Sequence, residues 1–364
     1  MDEEPASVQM AAEMDAGSEA EQKKQEAKAA GLLKKEQAME RRRQEAARKQ
    51  EAKAAEQACR AAEAAQRLRE EAAKTTAGLA VQWDVEFARA PDQTGICMDI
   101  WSLAAGAATR RPVVIWLHGG GWKAGTHHTM PAFLRRLAES GYVIASVGYR
   151  KTGVAPFPAC LQDCKAAVRW LRANGGAFGL DASRVGVVGN SAGAHLATLL
   201  GLTSGLAELE GSELGWAVEP SGVSAVVAIA GPSDLAKTCA DHSSAKTPEA
   251  LLLGAPVASV PAAAELASPV THATRAGAVA GSFLLIHGDA DEEVPLEQSE
   301  LLLTALEAAG VDASLIRVPG GHHPKFGERD AEACLASARS SWTEALEHSV
   351  VDFFDARIGR SASA

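Results

Sequence analysis

The stretch that decides the fold runs from Val185 to Thr203 and reads VGVVGNSAGAHLATLLGLT. Its first five residues form a short apolar run typical of a buried strand, and the residues from Ala192 onward are typical of a helix. Between them stands the G-x-S-x-G pentapeptide Gly189–Gly193, in the strand–turn–helix context that a nucleophile elbow requires. The N-terminus of the helix favours developing negative charge at this turn, so Ser191 is the candidate nucleophile.

A second motif, HGGGW at residues 118–122, directly follows the apolar run VVIWL. Its glycines allow backbone N–H groups to face a substrate oxygen without obstruction by side chains. The N–H groups of Gly120 and Gly121, together with that of Ala192, are therefore predicted to form an oxyanion hole. Trp122 is a candidate substrate contact, although a packing role suits it equally. A phosphate cradle is the alternative, but the motif has neither Gly-Lys-Ser/Thr nor G-x-G-x-x-G spacing.

A nucleophilic serine needs a base, and the base needs a carboxylate that orients it. Two later segments offer these groups. HGDADEEVP, at residues 287–295, follows the apolar run SFLLI, and PGGHHP, at residues 319–324, follows ASLIRV. The order of serine, acid and histidine along the chain suits a nucleophile of this kind. From the residues alone, several acids and both His322 and His323 stay open as candidates.

The rest of the chain alternates between strand and helix patterns. Two opening antiparallel strands are predicted at 81–87 and 95–103. Further strands are predicted at 113–117, 142–149, 185–189, 224–231, 282–288 and 313–321, with helices near 131–140, 159–173, 192–203, 297–310 and 329–357. Short apolar strands that alternate with helices predict an α/β fold, a mostly parallel sheet covered on both faces. Reactive groups are then expected at the carboxyl ends of the strands.

Over residues 82–358 the chain resembles the α/β-hydrolase esterases of the hormone-sensitive-lipase and acetyl- and feruloyl-esterase type. The resemblance is carried by HGGGW, by FPACLQDCKAAVRWLRANGGAFGLDASRVGVVGNSAGAHLA and by IHGDADEEVP. It implies an α/β-hydrolase fold, hydrolysis of carboxylic esters with short acyl groups, and no cofactor. It also implies that the acid is Asp291, the Asp of HG-x-x-D-x-x-V-P. The base is then His323, three residues after Gly320, with His322 as the alternative.

Two other functions remain open on this fold. An arylformamidase-type amide hydrolase has a similar elbow and glycine-rich motif, and the choice of acyl group depends on the shape of the pocket rather than on these motifs. A non-catalytic ligand-binding protein is the other alternative, but such a protein is expected to have lost its serine or histidine. Loops near 204–222 and 236–275 are long enough for a short cap, and no long insertion forms an obvious lid, which favours small ester substrates.

Three other groups of polar residues are interpreted without a chemical role. His195, one turn after Ser191, is interpreted as a packed histidine. His127 and His128 are interpreted as surface loop histidines, because the sequence suggests no acidic or cysteine partner for them, and no metal site is expected. Arg150 and Lys151 are weaker candidates for contact with an anionic substrate.

Residues 1–75 differ in composition from the rest of the chain. They are rich in Ala, Glu, Lys and Arg, carry 15 basic and 16 acidic side chains, and lack a sustained apolar heptad. We therefore predict a charged extension, partly helical or disordered, that precedes a catalytic domain spanning residues 76–364. The extension is a candidate site for a protein partner.

The net charge of −10 gives no general attraction for nucleic acid or for an anionic membrane. The chain has no apolar run long enough to span a bilayer, and its acidic start is unlike a secretory signal. A cytoplasmic location is therefore expected. The six cysteines show no metal-ligand spacing and are expected to be reduced thiols.

Overall fold

The computed structural model describes residues 78–103, 110–129, 131–275, 281–326, 342 and 345–359, together with isolated positions between 35 and 66. The chain divides into two compact units, Met1–Arg67 and Leu68–Ala364. The isolated positions of the first unit are helical and exposed. Most of the predicted extension lies outside the described residues, so its extent, its boundary at residue 75 and its partner stay predictions.

The second unit contains one eight-stranded sheet. Its strands are β1 (Leu79–Arg89), β2 (Gly95–Leu103), β3 (Arg111–Leu117), β4 (Val143–Val147), β5 (Leu180–Asn190), β6 (Ala225–Ile229), β7 (Ser282–Gly288) and β8 (Ala313–Val318). Their spatial order is β1-β2-β4-β3-β5-β6-β7-β8. The pairs β1–β2 and β2–β4 are antiparallel, and every later pair is parallel. This confirms the predicted α/β fold with two antiparallel opening strands.

The helices occupy the segments between the strands. They are α1 (Ala132–Glu139), α2 (Ala159–Asn174), α3 (Ala192–Leu202), α4 (Ala207–Glu210), α5 (Leu235–Thr238), α6 (Pro248–Leu253), α7 (Pro261–Leu266), α8 (Pro269–Arg275), α9 (Glu297–Ala308) and α10 (Val350–Ile358). Short 3₁₀ turns lie at Gly175–Phe178, Ser212–Leu214 and Val257–Ser259, and a π-helical turn at Ala345–Ser349 leads into α10. The closing helix predicted over 329–357 falls largely outside the described residues, and its described part contains the π turn.

The residues of β3 show how the sheet is covered. All seven are buried, and the five side chains from Val113 to Leu117 alternate between two separate apolar clusters. Val113, Ile115 and Leu117 pack in the cluster that contains residues of α2, α3 and α9. Val114 and Trp116 pack in the cluster that contains residues of α1 and α10. Helices therefore cover both faces, which is why the central strands are continuously apolar rather than alternating.

The register of the parallel strands decides where the functional loops meet. Leu117 at the end of β3 pairs with Gly189 near the end of β5, and Gly288 at the end of β7 pairs with Val318 at the end of β8. The loops that follow these strands therefore leave from one edge of the sheet, where ligands of open α/β sheets bind.

Candidate active site

Ser191 lies in a strained turn between β5 and α3. Its backbone has φ 55° and ψ −119°, in a region that residues other than glycine rarely adopt. The N–H of Ser191 donates to the carbonyl of Ile229 in β6 over 2.8 Å, and its own carbonyl accepts from the N–H of His195 over 3.1 Å. The sheet and the helix thus hold the turn from both sides, and strain of this kind is common at functional sites.

The two glycines of the pentapeptide allow the helix to lie against the strands. A Cβ atom added to Gly189 would collide with the carbonyl of Gly193, and one added to Gly193 would collide with the carbonyl of Leu117. Each position needs glycine because backbone approaches backbone there. The close approach places Ser191 beside the end of β3, where the HGGGW motif begins.

The HGGGW loop turns sharply as it leaves β3. Gly120 has φ +115°, and Gly121 and Trp122 also have positive φ values of 56° and 57°. The carbonyl of Gly120 accepts hydrogen bonds from the N–H groups of Lys123 and Ala124, which closes the turn. A pocket of about 480 Å³ is lined by residues of this loop and of the predicted site, namely Gly119, Gly120, Gly121, Ser191 and His323.

Asp291 and His323 are joined by a short hydrogen bond. Nδ1 of His323 donates to Oδ2 of Asp291 over 2.7 Å. The other carboxylate oxygen accepts from the N–H groups of Glu293 and Val294, both over 2.9 Å. The Asp291 side chain is fully buried and His323 is 7% exposed. The carboxylate is thus held in one orientation, and it in turn orients the imidazole.

Opposing effects act on the pKa of Asp291. Burial of the carboxyl by itself raises its pKa, but hydrogen bonds from His287 and His323 and from the N–H of Val294 outweigh burial and hold the pKa well below its usual range. The carboxylate is therefore ionised at neutral pH. An ionised Asp291 favours the tautomer of His323 with the proton on Nδ1, in which Nε2 is the basic nitrogen of the ring.

The hydrogen bonds discriminate between the candidate acids and histidines that the sequence left open. Asp289 accepts from the N–H of Gly320 over 2.6 Å and so supports the turn after β8. His322 is exposed, whereas the adjacent His323 is buried against Asp291. Of these candidates, the structure brings together Asp291 and His323, the two that the family resemblance implied, and their catalytic roles stay a prediction.

His287 is a supporting residue that sequence reasoning did not identify. It is fully buried at the end of β7. Its Nδ1 lies 2.7 Å from Oγ of Ser299, and its Nε2 lies 2.9 Å from the carbonyl of Val294 and 3.5 Å from Oδ2 of Asp291. His287 thus braces the loop that carries Asp291. A buried polar residue inside the otherwise apolar run SFLLIHG is the only signal the sequence offered.

His195 is packed, as predicted, and Trp122 packs against it. The indole N–H of Trp122 donates to Nδ1 of His195 over 3.2 Å, and Nε2 of His195 donates to the carbonyl of Ala267 over 2.7 Å. Burial lowers the pKa of His195 to about 4, so the ring is neutral at pH 7. Trp122 is 3% exposed. Its predicted contact with substrate stays a prediction.

Arg150 and Lys151 differ in their surroundings. The guanidinium of Arg150 forms an ion pair with the buried carboxylate of Asp163. Its Nη2 donates to Oδ1 over 2.7 Å, and its Nε lies 2.9 Å from Oδ1 and 3.0 Å from Oδ2. Lys151 donates to Nε2 of His118 over 2.7 Å, and its ammonium lies 3.8 Å from the centre of the Tyr149 ring. Burial lowers the pKa of Lys151 to about 7. Because His118 lines the Ser191 pocket, Lys151 supports the wall of that pocket.

The interpretation of His127 and His128 as surface histidines without acidic partners is wrong. Nε2 of His127 lies 2.9 Å from Oδ1 of Asp84, and Nδ1 of His128 lies 2.9 Å from Oδ2 of Asp99. The side chains of His127 and His128 are only 16% and 10% exposed. Neither aspartate is near these histidines in sequence; the packing of the loop against β1 and β2 brings them together.

The described cysteines Cys97, Cys160, Cys164 and Cys239 are free thiols, as expected. Within the described part of the chain, no helix combines the length and the apolar character that a membrane crossing requires.

The mostly parallel eight-stranded sheet, with Ser191 in the turn after β5 and the joined Asp291 and His323 on the loops after β7 and β8, defines the class of fold: an α/β-hydrolase. Comparison with known proteins then gives the family. The BD-FAE family model matches residues 98–306, more than half of the chain, and the chain belongs to that family. The resemblance predicted from the motifs is confirmed.

Two solved structures show the same fold, and each match covers a larger share of this chain than the family model does. A truncated carbohydrate esterase from gut microbiota is 29% identical with a TM-score of 0.62, and the match covers 72% of this chain and 96% of that one. A bifunctional GH43-CE protein of Bacteroides eggerthii is 30% identical with a TM-score of 0.65, over 76% of this chain and 35% of that one.

Two curated relatives are esterases of Mycobacterium tuberculosis. Esterase LipC is 32% identical over 241 residues, which are 64% of this chain and 57% of LipC. Esterase LipQ is 30% identical over 230 residues, which are 62% of this chain and 53% of LipQ. The chain therefore spans slightly more than half the length of these relatives.

Proposed function

We propose that this protein hydrolyses carboxylic esters with short acyl groups through an acyl-enzyme intermediate. Ser191 is the nucleophile, His323 the general base, and Asp291 the carboxylate that orients the base. The observation that carries the proposal is the 2.7 Å hydrogen bond between Asp291 and His323, with His323 and Ser191 in the walls of one pocket. The esterase names of the relatives support the same reaction class.

The first half of the reaction forms the acyl-enzyme. Oγ of Ser191 attacks the acyl carbon while Nε2 of His323 accepts the hydroxyl proton. The N–H groups of Gly120, Gly121 and Ala192 bind the oxyanion that develops on the carbonyl oxygen. The imidazolium, stabilised by the ionised Asp291, then gives its proton to the leaving alcohol as the bond between the acyl carbon and the alcohol oxygen breaks.

The second half of the reaction returns the free enzyme. His323 accepts a proton from a water molecule, and the resulting hydroxide attacks the acyl carbon. The same three N–H groups bind the second oxyanion. Collapse of this intermediate releases the carboxylic acid, and the proton on His323 returns to Oγ of Ser191. Apart from the substrate and this water molecule, each step uses only groups that the chain itself supplies.

The walls of the pocket support a substrate with a polar alcohol part. Lys123, Thr126, Glu293 and Lys325 contribute polar groups to the lining. Lys325 and Glu293 form an ion pair of 3.0 Å, with both side chains about half exposed. Pro248 of α6 lines the same pocket. The segment predicted to form a short cap therefore supplies part of the wall. Because the lining is polar, we propose that the substrates are acetyl-type esters of alcohols that carry further hydroxyl groups.

The test is hydrolysis of p-nitrophenyl esters from acetate to decanoate by the wild type and by Ser191→Ala. We expect turnover to decrease with acyl length, and to be lost in Ser191→Ala because no other group supplies the nucleophile. Ser212→Ala, an exposed serine on the same unit, is the matched control and should retain wild-type turnover.

Other results would overturn the proposal. Retained turnover in Ser191→Ala would exclude Ser191 as the nucleophile. A folded wild type that hydrolyses N-formyl aryl amines but no ester would indicate a formamidase instead. A folded wild type that hydrolyses neither, yet binds short esters, would indicate a binding protein.

A further inference from the structure

Four side chains that could coordinate a metal ion meet at a place outside the catalytic arrangement. They are Asp84 of β1, Asp99 of β2, and His127 and His128 of the loop that begins with HGGGW. One nitrogen or oxygen atom from each lies within 4.8 Å of the others. We call this group the His–Asp cluster.

The backbone explains why the two aspartates point to the same place. Asp84 lies at an irregularity of β1, where the register with β2 shifts between Gln82 and Val85, and it has a positive φ of 50°. Irregularities of this kind change the direction of a side chain. The N–H of Asp84 donates to Oδ1 of Asp99 over 2.8 Å, which fixes the two residues relative to each other.

The distances within the cluster suit a small tetrahedral ion. Nε2 of His127 lies 2.9 Å from Oδ1 of Asp84 and 3.7 Å from Oδ1 of Asp99, and Nε2 of His128 lies 3.6 Å from Oδ1 of Asp84. The remaining contact, of 2.9 Å, joins the other nitrogen of His128 to the other oxygen of Asp99. Zinc binds histidine nitrogen and carboxylate oxygen at about 2.0–2.2 Å, so a tetrahedral site separates its ligand atoms by about 3.3–3.6 Å. The three separations of 2.9, 3.7 and 3.6 Å between Nε2 and Oδ1 atoms lie on both sides of this range, and sub-ångström side-chain movements would bring them into it.

The chemistry of the donors selects among ions. Two imidazoles with two carboxylates form a nitrogen and oxygen set that suits zinc and neighbouring divalent transition metals. Calcium and magnesium prefer sites made of oxygen alone. The Asp99 side chain is fully buried. A buried carboxylate is costly unless a positive charge compensates it, and a divalent ion would supply that charge.

An ion can reach the cluster through a second cavity. This cavity has a volume of about 310 Å³ and is lined by Asp84 and His127. It shares His118, Gly125 and Thr126 with the pocket that contains Ser191. The loop from His118 to His128 therefore has the proposed oxyanion donors near its beginning and the cluster at its end.

We propose that the His–Asp cluster binds one zinc ion, or a similar divalent transition-metal ion, which fastens the HGGGW loop to strands β1 and β2. The ion has a positioning role and takes no part in bond making or breaking. It ties the far end of the loop to the sheet, as β3 ties its beginning, and so holds the Gly120 and Gly121 N–H groups in place.

The test is titration of the full chain, first dialysed against a chelator, with zinc chloride in a calorimeter. We expect one zinc ion per chain. The double variant His127→Ala/His128→Ala should bind zinc at least about 100-fold more weakly, because even supporting residues of a metal site typically account for 10- to 100-fold in affinity. His242→Ala/His348→Ala removes two exposed histidines elsewhere and should match the wild type.

Two further measurements keep the result decisive. Asp84→Asn preserves the shape of the side chain and the hydrogen bond from its backbone N–H to Asp99, so it should fold even if the double histidine variant does not. Its affinity for zinc should be at least about 10-fold lower than that of the wild type. Cobalt in place of zinc should give the visible absorption of a tetrahedral site. Ser191→Ala should bind zinc like the wild type, so the metal result is independent of the proposed hydrolysis.

The proposal is overturned if the folded wild type binds no zinc at 1:1 stoichiometry, or if the cluster variants bind it as tightly as the His242→Ala/His348→Ala control. Either result would mean that the four side chains form a hydrogen-bonded network only. Magnesium or calcium binding tighter than zinc would also contradict the donor argument.

Discussion

Oδ2 of Asp291 accepts a hydrogen bond of 2.7 Å from Nδ1 of His323, although the two residues lie on loops that follow different strands. The register of β7 and β8 makes this pairing possible. Gly288 and Val318 are partners at the ends of these strands, so the two loops leave the sheet side by side. The same contact makes Nε2 the basic nitrogen of His323, and His323 lines the pocket that contains Ser191.

Asp291→Asn should reduce kcat by about 10,000-fold in the hydrolysis of p-nitrophenyl acetate. The amide cannot hold His323 in the tautomer that accepts a proton on Nε2, and loss of the corresponding aspartate in a serine protease has an effect of this size. Asp289→Asn is the matched control, and we expect it to retain most of the activity. Equal loss in the two variants would contradict the assignment of the acid.

Gly120→Ala should lower kcat by about 100-fold, in the range observed when one oxyanion donor is lost. A Cβ atom at this position would lie 2.7 Å from the carbonyl of Ala124, and φ +115° disfavours alanine. The turn must therefore move and take its N–H groups with it. Gly153→Ala is the control, because a Cβ atom there meets nothing within 4 Å. Unchanged kcat in folded Gly120→Ala would exclude the loop from catalysis.

Trp122→Phe should lower the free energy of unfolding by about 1–3 kcal/mol, because Nδ1 of the buried His195 loses its hydrogen-bond donor. Urea unfolding measures this change. The KM for p-nitrophenyl acetate separates packing from recognition. An unchanged KM with reduced stability indicates that Trp122 only packs, whereas a raised KM with unchanged stability would support its predicted contact with substrate.

Lys151 should make the stability of the protein depend on pH. Burial lowers its pKa from 10.5 to about 7 in the folded state. Between these values the unfolded chain holds a proton that the folded chain lacks, so the contribution of Lys151 to the free energy of unfolding rises with pH from about 7 to 10. Urea unfolding at pH 7 and pH 9.5 measures this rise. Lys151→Met should reduce it, and Lys123→Met, at an exposed lysine, should not.

If the free energy of unfolding rises equally between the two pH values in the wild type and in Lys151→Met, another titratable group causes the pH dependence. The free energy of unfolding of the wild type could instead fall with increasing pH, and Lys151→Met could abolish that fall. This result would contradict the lowered pKa of Lys151, since the folded state would then hold the proton more tightly than the unfolded chain.

The elements that the sequence predicted well are those whose pattern is local. The runs VVIWL of β3 and VGVVG of β5 are apolar throughout, and β7 is apolar from Phe283 to Ile286. The predicted bounds of β3 and β7 lie within two residues of the observed ones, whereas β5 begins at Leu180, five residues before its predicted start. The turn at Ser191 was also predicted, because its flanking glycines allow the helix to approach the strand. The shape of the closing segment was not predicted, since helix propensity does not distinguish an α-helix from the π turn at Ala345–Ser349.

The sequence by itself determined the fold class, the candidate nucleophile Ser191 and the glycine-rich loop, because each depends on contacts between residues close together in the chain. The family resemblance implied Asp291 and His323, but only the tertiary structure showed the hydrogen bond between them. It also braced Asp291 with His287 and placed Asp84 and Asp99 against His127 and His128. Those pairings join loops and strands far apart in sequence. They depend on the order and register of the strands, which no short stretch of residues specifies.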